Sequence, residues 1–422
     1  MKTLAIPTDL EQGVARPAGV WLWHGVGLGL AVVLGSLAAW GRPTFWQEPH
    51  HLVLAVLVAV AYGAALTVGE RIRQLPQVRM VGLVLVTVSL CFLAVVALVA
   101  LARLYYSRSF LGTAYGVTLV SQVMAYQRQR RRSVRLAVLP GGIAQDLVRL
   151  PGITWVLLET PHWPAGRGLD GVVADLHLPR LGEWVRLLAN CRLRGIPVYH
   201  AALLWETLTG RLSLVHLREG ALELTPPAVY PRLKRTWETL WVLATAPLTL
   251  PLILVVALLV RWDSPGPVLF WQQRMGQGGR PFWMVKFRSM VPDSEASGVR
   301  FASRQDQRVT RLGRILRHYR LDELPQLWHV LEGKMALIGP RPEQVTFAQQ
   351  YEAELPFYMC RHLVKPGITG WAQVNQGYAA GTDETAVKLE YDLYYVKYQS
   401  LWLDGLIVFK TLKTILTGFG AR

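Results

Sequence analysis

Four apolar stretches, at about Val20–Trp40, His51–Val68, Met80–Ala102 and Phe110–Tyr126, constrain this chain more than any other feature. Each approaches the roughly 20 residues that a helix needs to span a bilayer, the fourth being the weakest. With 52% hydrophobic residues and a mean hydropathy of +0.26, the chain is too apolar for a purely soluble protein. The start of the chain is weakly charged, and no small-residue cleavage site leads into a soluble chain, so it does not read as a signal peptide. The spans carry almost no ionisable residues, which favours an anchor over a transport pathway. Arg71, Arg73 and Arg79 lie between the second and third runs, and Arg128, Arg130, Arg131, Arg132 and Arg135 follow the fourth. The loops at 41–50 and 103–109 are poorer in Lys and Arg. The positive-inside rule therefore places both ends of a four-helix transmembrane region, residues 1–127, in the cytoplasm.

Net charge is +17 over 422 residues. Beside apolar spans, such an excess points to anionic lipid headgroups rather than to nucleic acid. Cys91, Cys191 and Cys360 are far apart and show no metal or disulfide spacing. Residues 128–228 alternate short apolar runs with helical patterns, which predicts a small, largely parallel, Rossmann-like α/β domain. Its first turn, LPGGIAQ, lacks the spaced glycines that let backbone approach a pyrophosphate. An assembly or regulatory role suits it better than nucleotide binding.

The C-terminal region, residues 229–422, opens with another apolar run from Trp237 to Val260, flanked by Lys234, Arg235 and Arg261. It is long enough to cross, but Pro247 and Pro251 each remove a helix hydrogen bond. A break there would turn residues 234–262 into a re-entrant hairpin on the cytoplasmic face. Thr245 or Thr249 are candidates to cap the freed carbonyls.

Further on, TRLGRILRHYRLDELPQLWHVLEGKMALIGPRP (Thr310 to Pro342) sets Asp322 and Glu323 between two amphipathic segments. Leu312, Ile315, Leu316 and Tyr319 make one apolar stripe; Leu324, Leu327, Trp328 and Leu331 make the next, with Gly333 as a C-terminal stop. Pro325 fits only in a first turn, so the pair belongs at or just before a helix N-terminus, where the macrodipole favours an ionised carboxylate. Taken alone, Asp-Glu at a helix start is an ordinary cap. Ringed by arginines, an ionised Asp is suited to attack phosphorus or to hold a divalent cation.

LDELPQLWHVLEGKMALIGPRP, together with DSPGPVLFWQQRMGQGGRPFWMVKFRSM (Asp263 to Met290) and KPGITGWAQVNQG (Lys365 to Gly377), resembles the bacterial sugar transferases, the polyprenyl-phosphate hexose-1-phosphate transferases. The whole chain looks like the larger members, which carry an N-terminal membrane region and an intervening α/β domain. The resemblance implies a mostly α catalytic domain and transfer of a sugar-1-phosphate from a UDP-sugar, glucose or galactose favoured, to undecaprenyl phosphate. It further implies Asp322 as nucleophile, a covalent phosphosugar intermediate, Glu323 as its catalytic partner, and Mg²⁺ held by Glu323 and Asp392. Arg274, Lys286, Arg288, Arg311 and Arg341 are the candidate phosphate ligands. Pro251 aligns with the proline of the family's helix break, with Leu250 where a serine is expected. His329 replaces a common asparagine. The expected setting is the bacterial inner membrane, as a homodimer, at the first membrane step of exopolysaccharide, capsule or O-antigen synthesis. For Asp404 a cap or salt bridge is favoured over catalysis. The rival readings are a nonenzymatic membrane scaffold or regulator of polysaccharide assembly, and a lipid transporter.

Overall fold

The computed structural model describes the chain except for residues 1–18, 74, 77–79, 131–133, 165–167, 177–181, 215–216, 218–223, 292–305, 307, 377–380 and 418–422. Arg79, Arg131 and Arg132, used above for orientation, lie outside the described residues. The chain divides into two compact units, residues 1–210 and 211–422.

In the first unit, the apolar runs become α1 (Gly19–Trp40), α2 (Pro49–Arg73), α3 (Met80–Leu101) and α4 (Arg108–Arg130). The first three are long and apolar enough to cross a membrane; α4, the weakest of the four expected spans, does not reach that measure, which departs from the expected four-helix transmembrane region. Ala31, Leu54, Val58, Val88, Phe92 and Phe110 form the bundle core. Small residues let the helices close up: a Cβ on Gly35 would lie 3.1 Å from the Phe110 ring. Outward-facing residues such as Leu22, Val60 and Leu93 are each more than 60% exposed, an apolar coat suited to lipid.

The same unit contains β1 (Arg135–Val138), α5 (Ala144–Leu147), β2 (Thr154–Leu157), β3 (Gly171–Ala174), α6 (Gly182–Leu193), β4 (Val198–His200) and α7 (Ala201–Thr209). The strands form one parallel sheet in the order β2-β1-β3-β4. Alternate residues of β1 bury on opposite faces, Leu136 and Val138 against α5 and α7, and Ala137 against α6. At the mouth of the sheet, Asp175 Oδ2 accepts the Ile143 N–H at 3.2 Å. A Cβ on Gly142 would stand 2.1 Å from that oxygen, so the glycine turn wraps tightly around the carboxylate.

The second unit begins with α8 (Tyr230–Asp263), which runs through both prolines as one assigned helix. Thr245 Oγ1 donates to the carbonyls of Trp241 and Val242. It therefore does not cap Leu243, whose helical partner Pro247 cannot supply. Lys234, Glu238 and Val242 are buried near the start of α8, and Val256 and Val260 near its end; Leu248 and Leu250 between them are 76% and 62% exposed.

The hairpin β5 (Leu269–Met275) and β6 (Pro281–Phe287) follows, in register with Arg274 opposite Phe282. Its glycine-rich loop is the hairpin turn, with Gly278 and Gly279 at φ +67° and +71°. Then come α9 (Arg311–His318), a 3₁₀ turn (Leu321–Gln326), α10 (Leu327–Glu332), β7 (Ala336–Ile338), α11 (Val345–Glu354), a second 3₁₀ turn (Tyr358–Leu363) and β8 (Gly367–Thr369). The chain closes with α12 (Trp371–Asn375), α13 (Thr382–Tyr398) and α14 (Leu401–Thr417). Gly333, at φ +78°, ends α10 as its position suggested. Strands β7 and β8 pair in parallel, and a Cβ on Gly367 would fall 2.1 Å from Gly339 N. Only glycines allow that crossing, which fixes the Gly339–Pro342 turn against Lys365–Gly370.

Candidate active site

Asp322 and Glu323 occupy the first turn of the 3₁₀ segment, 8% and 7% exposed. Arg320, at φ +55°, reverses the chain just before them. That left-handed conformation is uncommon outside glycine and turns α9 sharply into the pair. The stripe read on α9 divides here. Leu316 packs with Val256, Val260 and Phe287, while Ile315 and Tyr319 are 54% and 52% exposed.

Cations converge on the pair from three segments. Arg341, in the fixed turn after β7, donates from Nη2 to Glu323 Oε1 at 2.7 Å, and Arg320 Nη1 lies 3.6 Å from Oε2. Lys286 comes from β6, its ammonium 5.0 Å over the Phe270 ring. Arg317, on α9, is steadied by a 2.8 Å bond from Nε to Ser289 Oγ. Arg274 reaches the Pro342 carbonyl at 3.1 Å, tying the hairpin to the Arg341 turn.

These neighbours divide the pair. Burial pushes the Asp322 carboxyl up, Glu323 beside it pushes further, and Lys286, Arg317 and Arg341 pull back, leaving it at about 6. The helix-start argument expects the macrodipole to favour an ionised Asp322; in a six-residue 3₁₀ turn, burial beside a second acid outweighs it and raises the carboxyl. Burial works against ionised Glu323 as well, but Arg341 and Arg320 hold its carboxyl below the ordinary range. For Lys286, burial and then Arg274 lower the ammonium to about 8, with Asp322 opposing.

The other expected ligands sit differently. Arg288 is 8% exposed and donates to the Ser264 and Pro265 carbonyls and to Ser264 Oγ, so it staples the Ser-Pro-Gly-Pro turn. Arg311 is exposed at the start of α9. Asp392, 1% exposed, accepts from Arg361 Nε and Nη2 at 3.0 and 2.7 Å, and the same Nη2 donates to the Arg341 carbonyl at 2.9 Å. Asp392 thus supports Arg341 from behind. His329 fills its place with both ring nitrogens in use: Nε2 accepts the Val285 N–H at 3.1 Å and Nδ1 faces Glu332 at 3.0 Å. Asp404 is a buried hub for Lys234, Tyr230 and Tyr395.

Sequence reading did not single out Arg317, Arg320 or Arg361. The available signal for Arg320 and Arg317 was distance along the chain, two and five residues before the acid. Arg361 carried none, since 31 residues separate it from Asp392.

For a metal, among the described residues no three His, Cys, Asp or Glu side chains converge. Glu323 Oε2 is nevertheless buried with no hydrogen-bond partner, its contact with Arg320 being the 3.6 Å ion pair. One or two carboxylates completed by substrate phosphates is the usual Mg²⁺ arrangement, so the pair fits that ion.

A family model described as bacterial sugar transferase matches residues 229–418. A protein of Aeromonas hydrophila named UDP-N-acetylgalactosamine-undecaprenyl-phosphate N-acetylgalactosaminephosphotransferase is 47% identical over 94% of this chain and 95% of its own length. Two proteins named UDP-glucose:undecaprenyl-phosphate glucose-1-phosphate transferase match in part. That of Xanthomonas campestris pv. campestris is 43% identical over 49% of this chain and 43% of its own length. That of Escherichia coli strain K12 is 45% identical over 44% of this chain and 41% of its own length.

Proposed function

The chain belongs to the bacterial sugar transferase family, and we propose that it transfers a sugar-1-phosphate from a UDP-sugar to undecaprenyl phosphate, releasing UMP. The observation that carries this reading is the buried Asp322–Glu323 pair facing Lys286, Arg317, Arg320 and Arg341. In the first step an Asp322 carboxylate oxygen attacks the β-phosphorus. The new P–O bond forms as the bond to the bridging oxygen breaks, and UMP leaves with that electron pair. In the second step the phosphate oxygen of the lipid attacks the same phosphorus, and Asp322 departs as carboxylate. Lys286, Arg317 and Arg341 neutralise the diphosphate and the charge that develops on the equatorial oxygens. Mg²⁺, held by Glu323 through Oε2, would supply further charge neutralisation at the diphosphate. Arg361 and Asp392 keep Arg341 in place, and Arg288 keeps the hairpin anchored to the end of α8.

For the sugar, the reading favours N-acetylgalactosamine over the glucose or galactose expected from domain layout. The Aeromonas hydrophila relative named for that sugar aligns over 94% of this chain, whereas the glucose-named relatives of Xanthomonas campestris pv. campestris, Escherichia coli strain K12 and Caulobacter vibrioides align over 49%, 44% and 46% of it. UMP release from a panel of UDP-sugars tests both points. Release with UDP-N-acetylgalactosamine ahead of the others supports the assignment; no release with any UDP-sugar in the presence of Mg²⁺ and undecaprenyl phosphate overturns the reaction.

The same reading places the catalytic unit on the cytoplasmic face of the inner membrane, with α8 entering and leaving on one side. In support, both ends of α8 pack on this one unit: Val242 with Met284 and Met335, and Val256 and Val260 with Phe287 and Leu316. A full crossing would separate those ends by about 30 Å of hydrocarbon. A cysteine at exposed Glu352 should react only with a membrane-permeant reagent in intact cells; reaction with an impermeant one would refute the placement.

A further inference from the structure

A cavity of about 90 Å³ lies where α8 begins, lined in part by Arg235, Gln277, Met335, Lys365 and Gln399. α10 separates it along the chain from the acid pair: Asp322 precedes that helix and Gly333 ends it. A Cβ on Gly333 would fall 3.0 Å from Arg235 Nη2 and 3.4 Å from Lys365 Nζ, so the two cationic heads meet across this glycine. Among the described residues neither makes a hydrogen bond or an ion pair. The acid in the wall, Glu238, is already engaged, with Lys234 Nζ at 2.7 Å and the Ile338 N–H at 3.2 Å. The C-terminal end of α10 offers about half a negative charge, too little for two cations. Burial, then the nearby Arg235, holds the Lys365 ammonium below its ordinary value, and Glu238 only partly opposes them. Gln399 adds a donor: it is 4% exposed, and its Nε2 has no partner.

We propose that this cavity is a second anion site, distinct from the acid pair, that takes the phosphate group of a ligand. Guanidinium, ammonium and amide donors together suit a group with several acceptor oxygens, and the cavity has room for a phosphate. The phosphate has two possible sources. Arg235 lies five and six residues before Leu240 and Trp241, which are 60% and 61% exposed and apolar. A lipid headgroup therefore reaches the cavity if α8 enters the bilayer as proposed above. A soluble phosphate reaches it whether or not α8 does.

The test is native mass spectrometry on the delipidated full-length protein, offered phosphatidylglycerol, phosphatidylcholine or inorganic phosphate. Wild type should retain one more phosphatidylglycerol or phosphate per chain than Arg235→Gln, a loss in retention of about tenfold or more, with Lys365→Gln in the same direction. Arg235 is exposed, so its variant should melt with wild type. An Arg235-dependent preference for phosphatidylglycerol over phosphatidylcholine identifies the lipid source; Arg235-dependent retention of inorganic phosphate alone identifies the soluble one. Equal retention by wild type and Arg235→Gln, or none by either, overturns the site. So does a loss in Lys286→Met as large as that in Arg235→Gln, because the binding would then belong to the acid pair.

Discussion

Two buried aspartates, one in each compact unit, show what separates a structural carboxylate from a reactive one. Asp175 and Asp322 are 3% and 8% exposed, and each sits where the chain turns sharply. At Asp175 the turn closes on the acid: Oδ2 takes a backbone N–H and the glycine at 142 leaves no room beside it. The chain's own carboxylate occupies the place where a sheet of this kind would offer backbone donors to a diphosphate. At Asp322 the turn faces side-chain cations from three segments and a second acid whose Oε2 is unbonded. Burial is common to both; a surrounding cluster of cations and a neighbouring carboxylate oxygen without a hydrogen bond belong to the second alone.

Exchanging each acid for its amide is the sharpest test of that contrast. Asp322→Asn should lower UMP release at least about 10³-fold with or without lipid acceptor, since the attacking atom is gone. Turnover near wild type would remove Asp322 from the role. Next, Arg341→Lys should cost about 10²-fold in kcat, because a single ammonium cannot replace the fork that spans Glu323 and the diphosphate. Arg361→Lys should give a milder loss, about tenfold, by loosening Arg341 without touching substrate; unchanged kinetics would show that Arg341 holds its place unaided.

The pH profile carries the comparison further. In the proposed reaction Asp322 attacks as carboxylate, so kcat/KM should rise through about pH 6 as its proton leaves. It should fall above about pH 8 as Lys286 loses its charge. Lys286→Arg should move the alkaline limb upward and leave the acid limb in place; an alkaline limb that stays would exclude Lys286 as its origin. The smallest catalytic effect belongs to the other aspartate. Asp175→Ala should leave UMP release unaltered yet cost roughly 1–3 kcal/mol of stability by orphaning the Ile143 N–H, read as a lowered unfolding midpoint.

What the sequence disclosed tracks the range of the interactions involved. Hydropathy located α1 to α3 because lipid exposure acts on every residue of a span, and α4 was weak for the same reason. The Gly333 stop and the parallel sheet were visible in local patterns. The Asp322 pKa was not, because it depends on Lys286 and Arg341, which lie 36 residues before it and 19 after it. Arg288 was misplaced because the sequence records a cation but not the carbonyls of Ser264 and Pro265 that engage it. The exposure of Ile315 and Tyr319 escaped a purely periodic reading, which assumes that every apolar face turns toward protein.

Arg361 divides its fork between an interior acid and the main chain of Arg341. Its hold is complete within the chain itself, so the backbone from which the Arg341 arm extends over Glu323 is set without substrate. The entropy of aiming that arm is met once per molecule instead of once per turnover.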